Sequence, residues 1–306
     1  MKIRDIGELG LINCISKKVR CDRSVIKGIG DDTAVIKWTS GKYFLFTCDM
    51  LIEDVHFKRA GATPYQIGHK ALARNISDIA AMGGVPKYAL VSIGLDPSLP
   101  VEFADGIFEG INKLAKQFGI NIVGGDTSRS SKVVIDVSLI GEVEKKLLTL
   151  RSGAKEGDAI FVTGELGGSI KGKHLNFTPR LEEARALVKN FKVNSMIDIS
   201  DGLLLDLWRV LDASKAGAVI YEDLIPVSSR AGSFRRAVTD GEDFELLFTM
   251  APKEAERFMK NYLLKLDVPV SLIGEVTAEK RGYRLIGRDW KEKRITKRGF
   301  QHFLHF

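Results

Sequence analysis

Aspartates stand at the ends of apolar segments, or inside them, in five separate places along the chain. They are Asp31 and Asp32 in GIGDDTAV, Asp49 in FTCDM, Asp78 in RNISDIAAMGG, Asp126 in NIVGGDT, and Asp198 and Asp201 in MIDISDGL. Taken singly, each has an ordinary interpretation as a turn or helix cap. Together the five segments indicate a magnesium site, because carboxylate oxygens are the hard ligands that Mg²⁺ prefers. The sequence has no His/Cys spacing typical of a zinc site.

The adjacent pair Asp31 and Asp32 lies where an apolar run begins. Neighbouring side chains on an extended segment point to opposite sides. If one of the two carboxylates enters the cluster, we therefore expect the other to turn toward solvent or toward a backbone N–H donor. The residues alone leave open which of the two is the metal ligand.

Two glycine-rich segments resemble nucleotide-binding loops only in part. In GIGDDT, Thr33 occupies the third glycine position of the dinucleotide-binding pattern. In GGSIKGKH (167–174), the glycine and lysine spacing of a phosphate-binding loop is kept, but His174 replaces the Ser or Thr that would bind Mg²⁺. We interpret the second segment as a loop that follows a strand, and we predict that any nucleotide binds elsewhere.

The apolar periodicity predicts the elements that position these aspartates. In the first half we predict strands at 43–49, 87–95, 120–125 and 132–141, and helices at 64–82 and 100–118. A polar turn at 151–158 separates this half from a second one. There we predict strands at 159–164, 195–199, 244–250, 271–276 and 283–287, and helices at 179–188, 203–214 and from 252 onward. Because neither half alternates strictly between strand and helix, we expect a two-domain α+β protein, divided into 1–142 and 143–306.

The composition favours a globular protein and argues against a membrane, secreted or nucleic-acid-binding one. The 306 residues are 44% hydrophobic and 28% charged, which is ordinary for a globular chain of about two domains. No segment approaches the roughly 20 apolar residues of a membrane span, and the charged N-terminus lacks the apolar run of a signal peptide. Three cysteines without a CxxC pair favour a reducing cytoplasm. The net charge of +7 brings no RNA-binding signature with it, so we expect no nucleic-acid partner.

Several segments, taken in order, closely resemble the thiamine-monophosphate kinase family. They are GIGDDTAV, TCDMLIEDVHF, ALARNISDIAAMGGVPKYALVSIGL, IVGGDTSRS, LTLRSGAKEGDAIFVTG, MIDISDGLLLDL and GEDFELLFT, and the resemblance covers roughly residues 26–300. The GDD and GGDT elements are shared with a broader superfamily that includes aminoimidazole-ribotide synthetase. DVHF, NISDIAAMG, LRSGAK and GEDFEL are more specific to the kinase family.

The resemblance implies a role for each matching position. The implied Mg²⁺ ligands are Asp32, Thr47, the Cys48 backbone carbonyl, Asp49, Asp78, Asp126, Asp198 and Asp201. The implied nucleotide contacts are Gly125, Asp126, Arg151 and Ser200, and the implied contacts to the phosphate acceptor are His56, Glu242 and Phe300. Asp126, Arg151 and Asp201 are then the catalytic group, and Asp31 is the aspartate turned away. Asp206 and Asp212 are interpreted as exposed helix positions outside the site.

Three of these residues also have a plain interpretation without the resemblance. His56 fits a polar group at a strand edge, Arg151 fits a turn arginine, and Phe300 fits a packing anchor near the C-terminus.

The resemblance also implies an activity and an assembly. The expected reaction is ATP + thiamine monophosphate → ADP + thiamine diphosphate, by direct in-line transfer with several Mg²⁺ ions. The expected protein is a cytoplasmic homodimer in which N-terminal strands of two subunits form a barrel, and the C-terminal domain covers the active-site cleft. One alternative is another ATP-dependent member of the superfamily, such as an aminoimidazole-ribotide synthetase. A second, from another class, is a basic nucleic-acid-binding protein with structural Mg²⁺.

Overall fold

The first half of the chain forms a six-stranded sheet with two long helices. We describe it from a computed structural model that covers residues 2–261 and 266–303. The helices are α1 (Ile3–Ser16), α2 (Pro64–Ala81) and α3 (Val101–Phe118). The strands are β1 (Val25–Lys27), β2 (Ala34–Lys37), β3 (Lys42–Ile52), β4 (Val85–Leu95), β5 (Asn121–Arg129) and β6 (Val134–Glu144). Their order in the sheet is β1-β2-β3-β6-β4-β5, and only the β4–β5 pair is parallel.

The second half forms a seven-stranded sheet. Its strands are β7 (Ala159–Thr163), β8 (Val193–Asp198), β9 (Ala216–Tyr221), β10 (Leu246–Met250), β11 (Val270–Ala278), β12 (Tyr283–Ile286) and β13 (Glu292–Arg294). Its helices are α4 (Leu181–Asn190), α5 (Leu203–Ser214), α6 (Phe234–Thr239) and α7 (Pro252–Asn261). The sheet order is β13-β12-β9-β11-β7-β10-β8, so β8 is an edge strand.

Helix α2 connects the two halves. Thr63 accepts a hydrogen bond from the Gln66 N–H at 3.2 Å while the Gln66 side chain accepts from the Thr63 N–H at 2.9 Å, and this capping box starts the helix at Pro64. The apolar face of α2 packs on β3 and β6 of the first sheet, and the helix also contacts α4 and β8 of the second half. One helix therefore carries side chains to the junction of both sheets.

Each strand and helix predicted from periodicity is present, and no end is displaced by more than four residues. The prediction omitted α1, β1, β2, β9, α6 and β13. Strand β9 escaped detection because a single left-handed residue, Lys215 (φ 54°), joins it to α5, so the helical pattern continues almost to the strand. Strand β5 was predicted to stop at Gly125 but runs on to Arg129, which places Asp126 inside the strand.

Both sheets are open in the described part of the chain, and no closed barrel is present there. The mixed α+β character of both halves is confirmed, whereas the barrel between subunits stays a prediction. Within residues 2–261 and 266–303, no helix is long and apolar enough to cross a bilayer.

Candidate active site

Three aspartates from both halves meet at the junction of the two sheets. Asp32 lies in the loop before β2, Asp78 lies on α2, and Asp198 is the last residue of β8. One carboxylate oxygen from each lies within 4.8 Å of the other two. Three like charges at this spacing repel one another strongly in a buried site. The cluster therefore needs positive charge or protons to be stable.

Two aspartates of this cluster, Asp78 and Asp198, accept hydrogen bonds from hydroxyl groups and not from cationic side chains. Thr47 Oγ1 donates to Asp78 Oδ2 at 2.5 Å, and Ser77 Oγ donates to Asp198 Oδ2 at 2.6 Å. Burial, together with the repulsion from neighbouring carboxylates, raises the pKa of Asp78 and of Asp198 well above the ordinary value. Among the described residues, Asp32 Oδ2 is buried without a hydrogen-bond partner.

The donor set of the cluster fits a divalent cation such as Mg²⁺. It consists of oxygens only, and it contains the unpaired Asp32 Oδ2. On β3, the Thr47 side chain points toward the cluster, while Cys48 points to the opposite face, with its Sγ 3.2 Å from Asp136 Oδ2. The Cys48 side chain is thus directed away from the carboxylates, and only its backbone could take part in ligation.

Asp31 and Asp32 diverge as their adjacency predicted. Asp32 enters the cluster, while Asp31 Oδ1 accepts a hydrogen bond from the Arg151 backbone N–H at 3.1 Å. Burial and the neighbouring Asp32 raise the pKa of Asp31 to about 6, against the influence of Arg151 and of Lys27 at 3.6 Å. The aspartate outside the cluster is therefore buried on a backbone donor and not exposed to solvent.

Three arginines neutralise the carboxylates around the central cluster. Arg151 Nη2 lies 2.6 Å from Asp32 Oδ1, and Arg74 Nη2 lies 3.2 Å from Asp49 Oδ1. Arg209 Nη2 lies 2.6 Å from Asp201 Oδ2. Asp32, Asp49 and Asp201 are therefore charge-compensated, whereas Asp78 and Asp198 have no ion pair among the described residues.

Sequence reasoning missed Arg74 and Arg209, although a signal for Arg74 was present. Lys70, Arg74 and Asp78 are spaced four apart on α2, so they share one helix face. Charged residues repeated at this spacing on an otherwise buried helix indicate a polar site against that face. Arg209 follows the same logic on α5, where it pairs with Asp206 at 2.5 Å.

Asp206 corrects the prediction that it is an exposed helix position. Its side chain is fully buried, and its Oδ2 accepts a hydrogen bond from the Asp201 N–H at 2.9 Å. Burial raises its pKa to about 7 despite the Arg209 guanidinium. Its neighbours Leu203, Leu205 and Leu207 on α5 are buried as well. Asp212 is exposed, as predicted.

A second cluster borders the carboxylates and contains two of the predicted acceptor contacts. Glu242 Oε2 lies 2.6 Å from Lys70 Nζ. His56 Nδ1 accepts a hydrogen bond from the Ile52 N–H at 3.0 Å, and burial with the nearby Arg74 charge lowers its pKa to about 4. His56 is therefore neutral near pH 7, with its proton on Nε2. Burial alone would raise the pKa of Glu242, but the His174 ring and the Lys70 cation outweigh it and hold the pKa at about 2.

A cavity of about 460 Å³ opens beside this cluster. His56 and Phe57 line it on the N-terminal side, and Ile170, His174 and Leu175 line it on the other. The C-terminal tail also approaches: the His302 ring lies 5.4 Å from the His56 ring, and the Phe300 N–H donates to the Asp201 carbonyl at 2.9 Å. Phe300 is half-exposed, so its ring is available to a ligand.

Two predicted nucleotide contacts lie outside the carboxylate cluster. Gly125 and Asp126 are exposed on edge strand β5, where Asp126 pairs in register with Ser92 of β4. Ser200 lies within the site region, and its carbonyl accepts a hydrogen bond from the Glu242 N–H at 2.7 Å.

The GGSIKGKH segment has no free phosphate cradle, in agreement with the sequence interpretation. The Gly167 N–H donates to both carboxylate oxygens of Asp243, at 2.9 and 3.0 Å. Lys173 Nζ lies 2.7 Å from Glu245 Oε1. Because the backbone donor and the lysine are both engaged by carboxylates, neither is free to bind a nucleotide phosphate.

Comparison with known proteins identifies the class to which this fold and site belong. Residues 30–143 match the family "AIR synthase related protein, N-terminal domain", and residues 155–287 match its C-terminal domain. The thiamine-monophosphate kinase of Bacillus subtilis (strain 168) is 36% identical over 97% of this chain and 100% of its own length. That of Rhodopirellula baltica is 38% identical over 91% of this chain and 92% of its own. The chain therefore belongs to the thiamine-monophosphate kinase family.

Solved structures agree with this assignment. AaThiL complexed with AMPPCP and TMP superposes with a TM-score of 0.85 at 30% identity, over 99% of both chains. The HypE–HypF complex contains a chain with a TM-score of 0.75 at 20% identity, covering 94% of this chain and 99% of that one, and it shares the fold alone.

Proposed function

We propose that this protein transfers the γ-phosphoryl group of ATP to thiamine monophosphate and so forms thiamine diphosphate. The observation that carries the proposal is the meeting of Asp32, Asp78 and Asp198, from both halves of the chain, within 4.8 Å. A cluster of this kind suits a reaction between two polyanions, because their mutual repulsion is the main barrier. The kinship with thiamine-monophosphate kinases supplies the identity of the acceptor.

The residues that would hold Mg²⁺ are those of the carboxylate cluster and its surroundings. They are Asp32, Thr47, the Cys48 carbonyl, Asp49, Asp78, Asp198 and Asp201, and also Asp126, which lies apart from the cluster on edge strand β5. When bound, Mg²⁺ supplies the charge neutralisation that lets two phosphate chains approach each other. Arg151 adds a fixed positive group beside Asp32 and contacts the nucleotide, as do Gly125, Asp126 and Ser200.

Transfer is direct in this proposal. The bond between the γ-phosphorus and the bridging oxygen of ATP breaks, and a bond to a phosphate oxygen of thiamine monophosphate forms. Since that acceptor oxygen is already anionic near pH 7, no strong general base is required, and the protein contributes alignment. Radiolabelled phosphate retained on the denatured protein after incubation with γ-labelled ATP alone would contradict direct transfer.

The acceptor binds in the cavity beside His56. Its thiazolium ring carries a fixed positive charge, which suits the ionised Glu242 carboxylate, and its aromatic rings suit stacking on Phe300. His56, neutral with a proton on Nε2, is able to donate one hydrogen bond to the acceptor's phosphate. The Phe300 N–H donates a hydrogen bond to the Asp201 carbonyl, so the residue that stacks on the acceptor lies next to a metal ligand.

The protein acts as a homodimer in this proposal. The face of the first sheet opposite α2 exposes large apolar side chains, which need a cover. They are Phe46 and Met50 on β3, Tyr88 and Leu90 on β4, and Val123 on β5, each between 42% and 58% exposed. A second copy packed on this face would close the two sheets into the predicted barrel and would cover the strand that carries Asp126.

Residues 1–142 then bind ATP and Mg²⁺ and form the dimer, and residues 143–306 close the cleft. The three unpaired cysteines suit the reducing cytoplasm.

Product formation tests the proposal. Purified protein with ATP, Mg²⁺ and thiamine monophosphate is expected to form thiamine diphosphate and ADP in equal amounts, and EDTA is expected to stop the reaction. Asp78→Asn and Asp126→Asn are each expected to lower kcat by about 100-fold, while Asp105→Asn, on the exposed surface of α3, changes nothing. ATP hydrolysis driven by the aminoimidazole-ribotide synthetase substrate, without thiamine diphosphate formation, would favour the alternative activity.

A further inference from the structure

Lys70 is a fully buried cation that contacts two residues lining the cavity, His56 and His174, and the Glu242 carboxylate, which lies outside that lining. Its Nζ lies 2.9 Å from the His56 carbonyl oxygen, 2.7 Å from His174 Nδ1 and 2.6 Å from Glu242 Oε2. These partners come from the loop after β3, from the GGSIKGKH segment and from the turn before β10. An ammonium group has three N–H donors; here Lys70 makes hydrogen bonds to His56 and His174 and an ion pair with Glu242. Lys70 therefore links these three segments of the chain to one another.

This geometry assigns the protonation state of His174. Since Lys70 donates to Nδ1, that nitrogen is an acceptor, and the neutral ring carries its proton on Nε2. His174 Nδ1 lies 3.6 Å from Glu242 Oε2, so the histidine is a direct neighbour of the carboxylate and is also linked to it through Lys70. His174 also lines the cavity.

The segment that presents His174 is firmly anchored. Asp243 accepts hydrogen bonds from the Gly167 N–H and from the Ser169 hydroxyl. Glu245 pairs with Lys173 at 2.7 Å and with Arg180 at 2.8 Å. Within the GEDFEL segment, Asp243 and Glu245 thus anchor the GGSIKGKH segment, which lines the cavity, and Glu242 lies beside the cavity.

Glu242 is held in a conformation that its residue type disfavours. Its φ is +62°, and its N–H donates to the Ser200 carbonyl at 2.7 Å. A non-glycine residue in this region is strained and persists where surrounding contacts impose it. The ion pair with Lys70 is the contact that fixes its carboxylate.

We propose that Lys70 and His174 are positioning residues for the phosphate acceptor. Together they fix the position of the Glu242 carboxylate beside the cavity, where it faces the cationic ring of the acceptor. This inference rests on the proposed function. It also gives a role to the GGSIKGKH segment, as a wall of the acceptor site and not a nucleotide loop.

Three variants separate this role from general loosening of the site. His174→Leu removes the acceptor of the Lys70 hydrogen bond, and His174→Asn restores an acceptor near the Nδ1 position. His69→Leu is the matched control, because His69 Nε2 bonds the Phe177 carbonyl at 2.8 Å, and so links α2 to the chain just beyond GGSIKGKH without contacting Lys70.

We expect His174→Leu to raise the KM for thiamine monophosphate by about tenfold, the worth of one hydrogen bond to a charged group. The KM for ATP and kcat should stay within about twofold, and His174→Asn should recover most of the loss. Equal rises in KM for thiamine monophosphate in His174→Leu and His69→Leu, or an unchanged KM in His174→Leu, would overturn the inference. Lack of thiamine diphosphate formation by the wild-type protein would instead overturn the proposed function itself.

Discussion

The carboxylates of the site differ in how each is neutralised. Asp32, Asp49 and Asp201 each have an arginine, and Glu242 has Lys70. Within residues 2–261 and 266–303, Asp78 and Asp198 have only hydroxyl donors. Asp78 and Asp198 are therefore the carboxylates whose negative charge is least compensated. Burial of these two groups without a cation destabilises the folded protein, and a divalent ion bound there would remove that cost.

Magnesium should stabilise the fold measurably. Ligand binding at about 100 times Kd contributes about 2.7 kcal/mol, so Mg²⁺ should raise the Tm of the wild-type protein by several degrees relative to EDTA. In Asp78→Asn the shift should be lost, while the Tm in EDTA should equal or exceed that of the wild type, because a buried unpaired charge has been removed. Differential scanning calorimetry measures both quantities. A full Mg²⁺-dependent shift in Asp78→Asn would contradict the assignment of the cluster.

His56 should make stability depend on pH. Its pKa is lowered to about 4, so between about pH 6.5 and 4 the unfolded chain binds a proton that the folded chain does not. Stability therefore falls as the pH is lowered through this window. In His56→Asn, which retains an acceptor for the Ile52 N–H and does not titrate, the fall should be smaller. Thermal unfolding of both proteins at pH 7.5, 5.5 and 4.5 measures the difference; parallel curves would show that His56 titrates alike in both states.

Helix α2 is the element that brings the site together, since it carries Lys70, Arg74 and Asp78 on one face. Its position depends on close contact with α3. A Cβ added at Gly68 would lie 1.9 Å from the Ile107 carbonyl oxygen, so only glycine permits this approach.

Gly68→Ala should therefore displace α2 and destabilise the protein. Overpacking of this kind costs about 1–3 kcal/mol, which should appear as a lower Tm and a lower urea midpoint. Gly61→Ala is the control, because a Cβ there meets nothing within 4 Å and its φ is not positive. An unchanged midpoint in Gly68→Ala would show that the two helices adjust freely.

What could be predicted at this scale followed from periodicity. The apolar spacing of 64–82 gave α2 almost residue for residue, because amphipathic burial and a capping box agree there. It did not reveal Arg74, whose role depends on Asp49 of a different element. It also mistook Asp206 for an exposed residue, because the pattern of α5 does not show that Arg209 and the Asp201 N–H would receive a buried carboxylate.

At the scale of the molecule, the first sheet leaves an apolar face uncovered. The α+β character of each half is predictable from the sequence, because the alternation of buried and less buried residues along a strand is a local pattern. In β6, for example, every second residue is buried. Partner surfaces are not local: Phe46 and Leu90 read as ordinary strand residues in the sequence, and only the assembled sheet places them together on an exposed face. The position of Asp126 is not local information either, because its distance from the carboxylate cluster depends on β5 continuing beyond it to Arg129.

The exposed sheet face predicts a dimer that single charges should disrupt. Phe46→Asp and Leu90→Asp each place a carboxylate on the apolar face, where desolvation in the dimer is costly. Light scattering coupled to size exclusion should report twice the 33.8 kDa chain mass for the wild type and a single chain mass for these variants. Val101→Asp, at a residue 72% exposed on α3, should remain dimeric. A monomeric wild-type protein with full activity would contradict the proposed assembly.

The central claim is that carboxylates from both halves form one magnesium site for phosphoryl transfer. The most direct measurement is the Mg²⁺ dependence of thiamine diphosphate formation in Asp32→Asn and in Asp198→Asn, one variant from each half. Each should lower kcat by about 100-fold and shift the Mg²⁺ requirement upward, and the double variant should lose little more, because both residues serve the same site. Wild-type Mg²⁺ dependence in either single variant would contradict the claim.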